Sequence, residues 1–105
     1  MVTKKDKAKK RMFKGVTVDS LAVGERSMVC KMNYEDGNFA TEHVHPQEQS
    51  GYVISGKYLM TVDKDVYELE PGDSYVVPGN VPHSFKVLEA GEVIDVFTPI
   101  RRDYL

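Results

Sequence analysis

The chain has 105 residues, 41% of them hydrophobic and 29% charged, with a formal net charge of −2 at pH 7; this suits one small soluble domain and leaves no room for a second. No apolar run approaches the roughly 20 residues that a membrane helix needs, and the single cysteine, Cys30, cannot form an intramolecular disulfide. With no apolar secretory stretch in the basic N-terminus, a reducing cytoplasm is the expected setting, and a membrane is not an expected partner.

Residues 1–14, MVTKKDKAKKRMFK, carry 7 of the 14 Lys and Arg but 1 of the 16 acids, which leaves 7 cations against 15 acids elsewhere. That composition predicts a flexible basic tail ahead of a single domain over residues 15–105. The acidic body would repel a phosphate backbone and no aromatics interleave the lysines, so nucleic acid is not an expected partner either. Past residue 14 the chain divides into short strands: GVTVDSL, RSMVCKMNY, FATEHVH, QSGYVIS, KYLMTVD, DVYELE, DSYVVP, PHSFKVL and EVIDVFT. Turn formers such as EDGN, SGK, EPGD and PGNVP separate them about every ten residues, and no helical periodicity is sustained. Many short strands without intervening helices predict an all-β sandwich or closed barrel with no long helix. Cys30 lies inside a strand-like run with no activating partner, as a small buried hydrophobe does.

On a strand, alternate side chains share a face, so His43 and His45 of FATEHVH point the same way with Cα atoms about 6–7 Å apart. Two imidazoles so placed can meet one ion at roughly 2.1 Å. Pro46 ends the ladder, and Gln49 opens the next strand on the same parity, where its carbonyl oxygen is a further donor. Glu48 is the competing carboxylate, although its parity is opposite. His83 is the one other histidine; it follows the turn PGNVP and needs long-range pairing to join the pair. In EVIDVFT, Asp95 shares a face with Val93 and Phe97, and a carboxylate among apolar neighbours needs a partner or a function. The alternative is an outward-facing structural aspartate bonded to a neighbouring hairpin.

Two stretches carry a family resemblance. GNFATEHVHPQEQSGYVISG resembles the first cupin motif, G-x5-H-x-H-x3-[E/Q]-x6-G, through Gly37, His43, His45, Gln49 and Gly56. GDSYVVPGNVPHSFKV resembles the second, G-x5-P-x-[G/N]-x2-H, through Gly72, Pro78, Asn80 and His83. The resemblance implies a cupin double-stranded β-helix, or jelly-roll barrel, commonly a homodimer, with His43, His45, Gln49 and His83 holding one divalent transition metal. Mixed nitrogen and oxygen donors suit Ni, Zn, Co, Mn, Fe or Cu alike. A neutral Gln49 leaves such a centre one charge more positive than a glutamate would, and so a stronger Lewis acid.

HPQEQSGYVISGK and DVFTPIRRDYL are similar to a narrower group, the pectin-degradation cupins that convert 4,5-unsaturated uronates to their linear keto forms. That resemblance makes Asp95 the catalytic proton carrier and Phe97 and Arg101 substrate-binding residues. The chain departs from the group in having RRDYL where REDYL is common, which adds positive charge beside the site and bears on substrate size and identity. The expected function is a metal-dependent isomerase- or lyase-type enzyme acting on a small-molecule substrate, a sugar acid. Two other classes stay open: a non-catalytic carbohydrate- or small-ligand-binding cupin, and an Fe- or Cu-dependent dioxygenase. No helix-turn-helix accompanies the barrel, which disfavours a sugar-sensing transcription factor.

Overall fold

The alternation expected of the strands is visible residue by residue. Along Glu48–Val53, Gln49, Gly51 and Val53 are buried while Glu48, Ser50 and Tyr52 face out, the pattern of a sheet with one face on a core. The computed structural model describes residues 1–105 and contains ten strands: β1 Lys9–Phe13, β2 Val16–Val23, β3 Met28–Tyr34, β4 Phe39–His43, β5 Glu48–Val53, β6 Lys57–Val62, β7 Asp65–Leu69, β8 Ser74–Val77, β9 His83–Glu89 and β10 Gly91–Thr98. The helical pieces are short 3-10 turns at Lys5–Lys7 and Arg102–Tyr104, as the expectation of an all-β chain without a long helix requires.

The strands form two antiparallel sheets, one ordered β1-β2-β3-β10-β5-β8 and the other β4-β9-β6-β7. Strands distant in sequence lie side by side, with β10 hydrogen-bonded between β3 and β5; this is the crossing pattern of a jelly roll. Apolar side chains including Val18, Val53, Tyr58, Met60, Val77 and Val93 fill the space between the sheets. Five polar side chains are buried with them on the functional side of that space: His45, Gln49, His83, Asp95 and Arg101.

The expected tail over residues 1–14 is corrected in its second half. Lys9–Phe13 pairs antiparallel with Val16–Ser20 across a two-residue turn, Lys14–Gly15, whose φ values of 51° and 82° are those a tight hairpin of matching twist demands. Lysines suit β1 because it is an edge strand, where charge blocks pairing with a foreign sheet. Lys10 Nζ also bonds Asp19 Oδ1 at 3.0 Å, and Arg11 Nη1 donates to the Leu105 carbonyl at 2.6 Å. Part of the basic run therefore partners a buried carboxylate and the C-terminus.

Candidate metal centre and active-site cavity

His43 closes β4 and lies directly opposite His83, the first residue of β9. His45 does not share their ladder. The pairing of β4 with β9 becomes irregular after Ala40, and β4 stops at His43, so the expected alternation along one strand is replaced by a connection that carries His45 inward. That connection is pinned by the turn before β9: Asn80 N–H donates to the His45 carbonyl at 2.8 Å. Gly79 packs against it so closely that a Cβ there would lie 2.4 Å from the Pro46 carbonyl oxygen. Asn80 has φ 62°, the left-handed conformation that asparagine tolerates. The two histidine-bearing stretches are thus locked to each other through backbone.

Each imidazole is oriented the same way. Nδ1 of His43, His45 and His83 faces the carbonyl of Thr41, Gln47 and Val81 at 2.7, 3.0 and 2.9 Å. A carbonyl only accepts, so in each neutral ring Nδ1 carries the proton and Nε2 keeps its lone pair. Potential ligand atoms of the three rings lie within 4.8 Å of one another. Burial depresses His83 to about 4, with His43, His45 and Arg101 adding to the effect, and burial followed by Arg101 depresses His45. Both are free bases at neutral pH, as metal ligands must be.

Two observations test whether a metal fits. His83 Nε2 is buried with no hydrogen-bond partner, and His45 Nε2 lies 3.2 Å from Gln49 Oε1. The second contact sets two lone pairs against each other once Nδ1 holds the His45 proton. A cation held by both atoms would remove that repulsion, since imidazole nitrogen and amide oxygen are both metal donors. The residues present fit a divalent ion held by three imidazoles and an amide oxygen. Glu48, the competing ligand, points outward on β5 opposite Thr98.

Asp95 is on the inward face of β10 with Val93 and Phe97 and is 1% exposed, which excludes the outward structural aspartate. It lies at one level of the sheet with Gly51 of β5 and Tyr75 of β8. The Tyr75 ring crosses over Gly51, where a Cβ would sit 2.1 Å from its Cζ, and its hydroxyl donates to Asp95 Oδ1 at 2.5 Å. The other carboxylate oxygen, Oδ2, is buried without a partner. Burial raises Asp95 to about 6, and the bond from Tyr75, the nearby Gln49 amide and the charge of Arg101 limit the rise. Gln49 therefore stands between the two halves of the site, its oxygen 3.2 Å from His45 Nε2 and its amide near enough to Asp95 to favour the carboxylate. A glutamate there would place a second carboxylate against Asp95 and lift its pKa further. Cys30, pushed up to about 12 chiefly by burial, has no thiolate chemistry at neutral pH.

These groups line a cavity of about 460 Å³ between the sheets, walled elsewhere by Met32, Tyr34, Met60 and Phe85. Arg101 lines it too, but side-on: Nε and Nη2 donate to Asp103 at 3.3 and 2.7 Å, and Nη1 donates to the Tyr104 hydroxyl at 3.0 Å. Burial alone would raise Asp103, but the guanidinium more than offsets it and holds the carboxyl below its ordinary range. Phe97 is corrected as a substrate contact. It is 1% exposed and absent from the cavity lining, because His45, Arg101 and Tyr104 cover its ring at 6.0, 5.2 and 5.5 Å. Sequence reasoning missed Tyr75, Gly51 and Asp103. The pairing of an aromatic with a glycine across adjacent strands was the available signal for the first two, and the carboxylate two residues after Arg101 for the third.

Comparison with known proteins agrees with this geometry. Residues 30–97 match the family described as Cupin domain. The chain is similar to the pectin degradation protein KdgF of Dickeya dadantii (strain 3937), at 35% identity over 80 residues that span 74% of this chain and 72% of that protein. Among solved structures it is similar to an RmlC-like cupin from Shewanella frigidimarina NCIMB 400, with a TM-score of 0.91 and 27% identity over 99% of this chain and 95% of that one. KdgF from Halomonas sp. superposes with a TM-score of 0.89 and 27% identity over 100% and 98% of the two chains. Two facing antiparallel sheets, the backbone-locked histidine motifs and a domain match over most of the chain lead to one conclusion: this protein belongs to the cupin family.

Proposed function

We propose that the protein is a metal-dependent isomerase that opens the ring of a small unsaturated sugar acid, a 4,5-unsaturated uronate. The observation that carries this reading is the juxtaposition, through Gln49, of a four-donor centre with a desolvated carboxylate whose second oxygen is unpartnered. The similarity to pectin degradation proteins supports the same substrate class. His43, His45, His83 and Gln49 would hold the ion, which when bound polarises substrate oxygens as a Lewis acid.

Ring opening of such a uronate is an isomerisation. A proton leaves the anomeric hydroxyl, the bond from C1 to the ring oxygen breaks to give an aldehyde and an enolate, and the enolate becomes a ketone when C4 gains the proton. One group that takes a proton and returns it suffices, and Asp95, raised to about 6 by burial, is poised for both directions near neutral pH. Tyr75 fixes Oδ1 and so aims the free Oδ2. The apolar wall of Met32, Tyr34 and Phe85 limits water around the reacting carboxylate. With three of its hydrogens engaged by Asp103 and Tyr104, Arg101 meets a substrate carboxylate only through one remaining hydrogen on each terminal nitrogen.

The test is to load the protein with Ni, Zn, Co or Mn in turn and follow loss of the enol-ether absorbance of unsaturated galacturonate, alongside metal content. The proposal expects about one ion per chain and metal-dependent turnover. It also expects His45→Ala to lose both while still unfolding cooperatively, since the apolar strand faces supply most of the core. Saturable binding without turnover by any metal-loaded form would overturn the enzymatic reading in favour of a binding cupin.

A further inference from the structure

The cavity is lined by two cations, Lys14 and Arg101, and they are not equivalent. Arg101 is buried and already neutralised side-on by Asp103. Lys14 is exposed and forms no ion pair with any carboxylate of the chain. It stands at the tip of the β1–β2 hairpin with φ 51°, a left-handed conformation that residues with a Cβ rarely adopt and where asparagine or glycine is usual. Its Nζ lies over the Phe13 ring, 5.6 Å from the centroid, a weak cation–π contact at an exposed site that leaves the ammonium open to an anion. Arg101 Cζ lies 5.8 Å from the same ring. Phe13 thus carries both cationic centres at the cavity wall, one neutralised and one free.

We infer that Lys14 pairs with the carboxylate of a uronate bound in this cavity, while Arg101 chiefly holds Asp103 and Tyr104 in place. The inference rests on the sugar-acid reading of the site and adds the residue that selects the acid over its neutral counterpart. An unpaired ammonium on a flexible stem at the rim can follow an anionic group inward, and the acidic body of the chain offers such a group no other free cation along this wall. It also gives the N-terminal hairpin a part in substrate selection.

Calorimetric titration of the metal-loaded protein with galacturonate, and with its uncharged methyl ester, tests this. Lys14→Met keeps the stem and removes the charge, and should weaken galacturonate binding about two- to fivefold, the upper range of an exposed ion pair. Binding of the methyl ester should not change. Lys14→Arg should restore the galacturonate affinity, and thermal unfolding of both variants should match wild type. Equal galacturonate affinity in Lys14→Met, or an equal loss for the ester, overturns the inference. Lys14-dependent binding without turnover of the unsaturated uronate would sink the proposed reaction and leave this inference standing. Turnover that is indifferent to Lys14 would do the reverse.

Discussion

Gly51→Ala tests whether the site depends on one missing methyl group. The added Cβ would lie 2.1 Å from Tyr75 Cζ, 2.3 Å from its hydroxyl oxygen and 2.5 Å from Cε1, whereas carbon atoms in contact stand about 3.5–4.0 Å apart. The ring must therefore retreat by about 1.5 Å, enough to carry its hydroxyl beyond bonding range of Asp95 from the present 2.5 Å. Overpacking costs roughly 1–3 kcal/mol and a buried acceptor left without its donor a further ~1–3 kcal/mol. A total near 3 kcal/mol corresponds to a fall in melting temperature of more than about 10 °C in a domain of this size. Chemical denaturation of metal-free protein measures the change without ligand linkage. Tyr75→Ala removes the obstacle, so in that background Gly51→Ala should cost less than about 1 kcal/mol. Strictly additive effects, or a Gly51→Ala protein as stable as wild type, would refute the crossing of Tyr75 over Gly51.

Burial raises Asp95 from its ordinary 3.8 to about 6, so the folded chain binds that proton more tightly than the unfolded one. The stability it contributes is fully present below the unfolded value and is lost as pH rises through about 6. Metal-free Asp95→Asn should therefore exceed wild type by roughly 1–3 kcal/mol at pH 7 and by little at pH 4; denaturation curves giving the same difference at both pH values would contradict a desolvated carboxylate. Deleting residues 1–8 should leave thermal unfolding unchanged. Deleting residues 1–13 removes β1, leaves Asp19 with Lys31 at 3.6 Å as its one cation, and takes Phe13 off Tyr104, and should cost at least about 2 kcal/mol. Coincident melting of the two truncations would contradict the pairing of β1.

The strands were legible because alternation is a local signal, and β5 and β10 obey it at every residue from Gln49 to Val53 and from Val93 to Phe97. The three histidines and Gln49 were legible because their spacing survives whatever carries them. How they converge was not, since His45 reaches the centre through backbone contacts with Gly79 and Asn80, more than 30 residues away in sequence. Tyr75 escaped notice for a related reason: it acts sideways across β5, and no period along one strand reports that. In β1 composition was a poor guide, because lysines that solvate a loose tail serve an edge strand equally well. Phe97 shows the limit of parity: it is on the inward face of β10, as read, but Tyr104 from the C-terminal turn covers it.

The most direct measurement of the central claim is turnover of unsaturated galacturonate by metal-loaded Asp95→Asn beside wild type at equal metal content. The amide keeps the shape and a hydrogen-bonding partner for Tyr75 but cannot exchange a proton near neutral pH. The expected rate is lower by roughly 10²–10⁴, with affinity for galacturonate little changed. A wild-type rate in Asp95→Asn, with its metal in place, would contradict the claim.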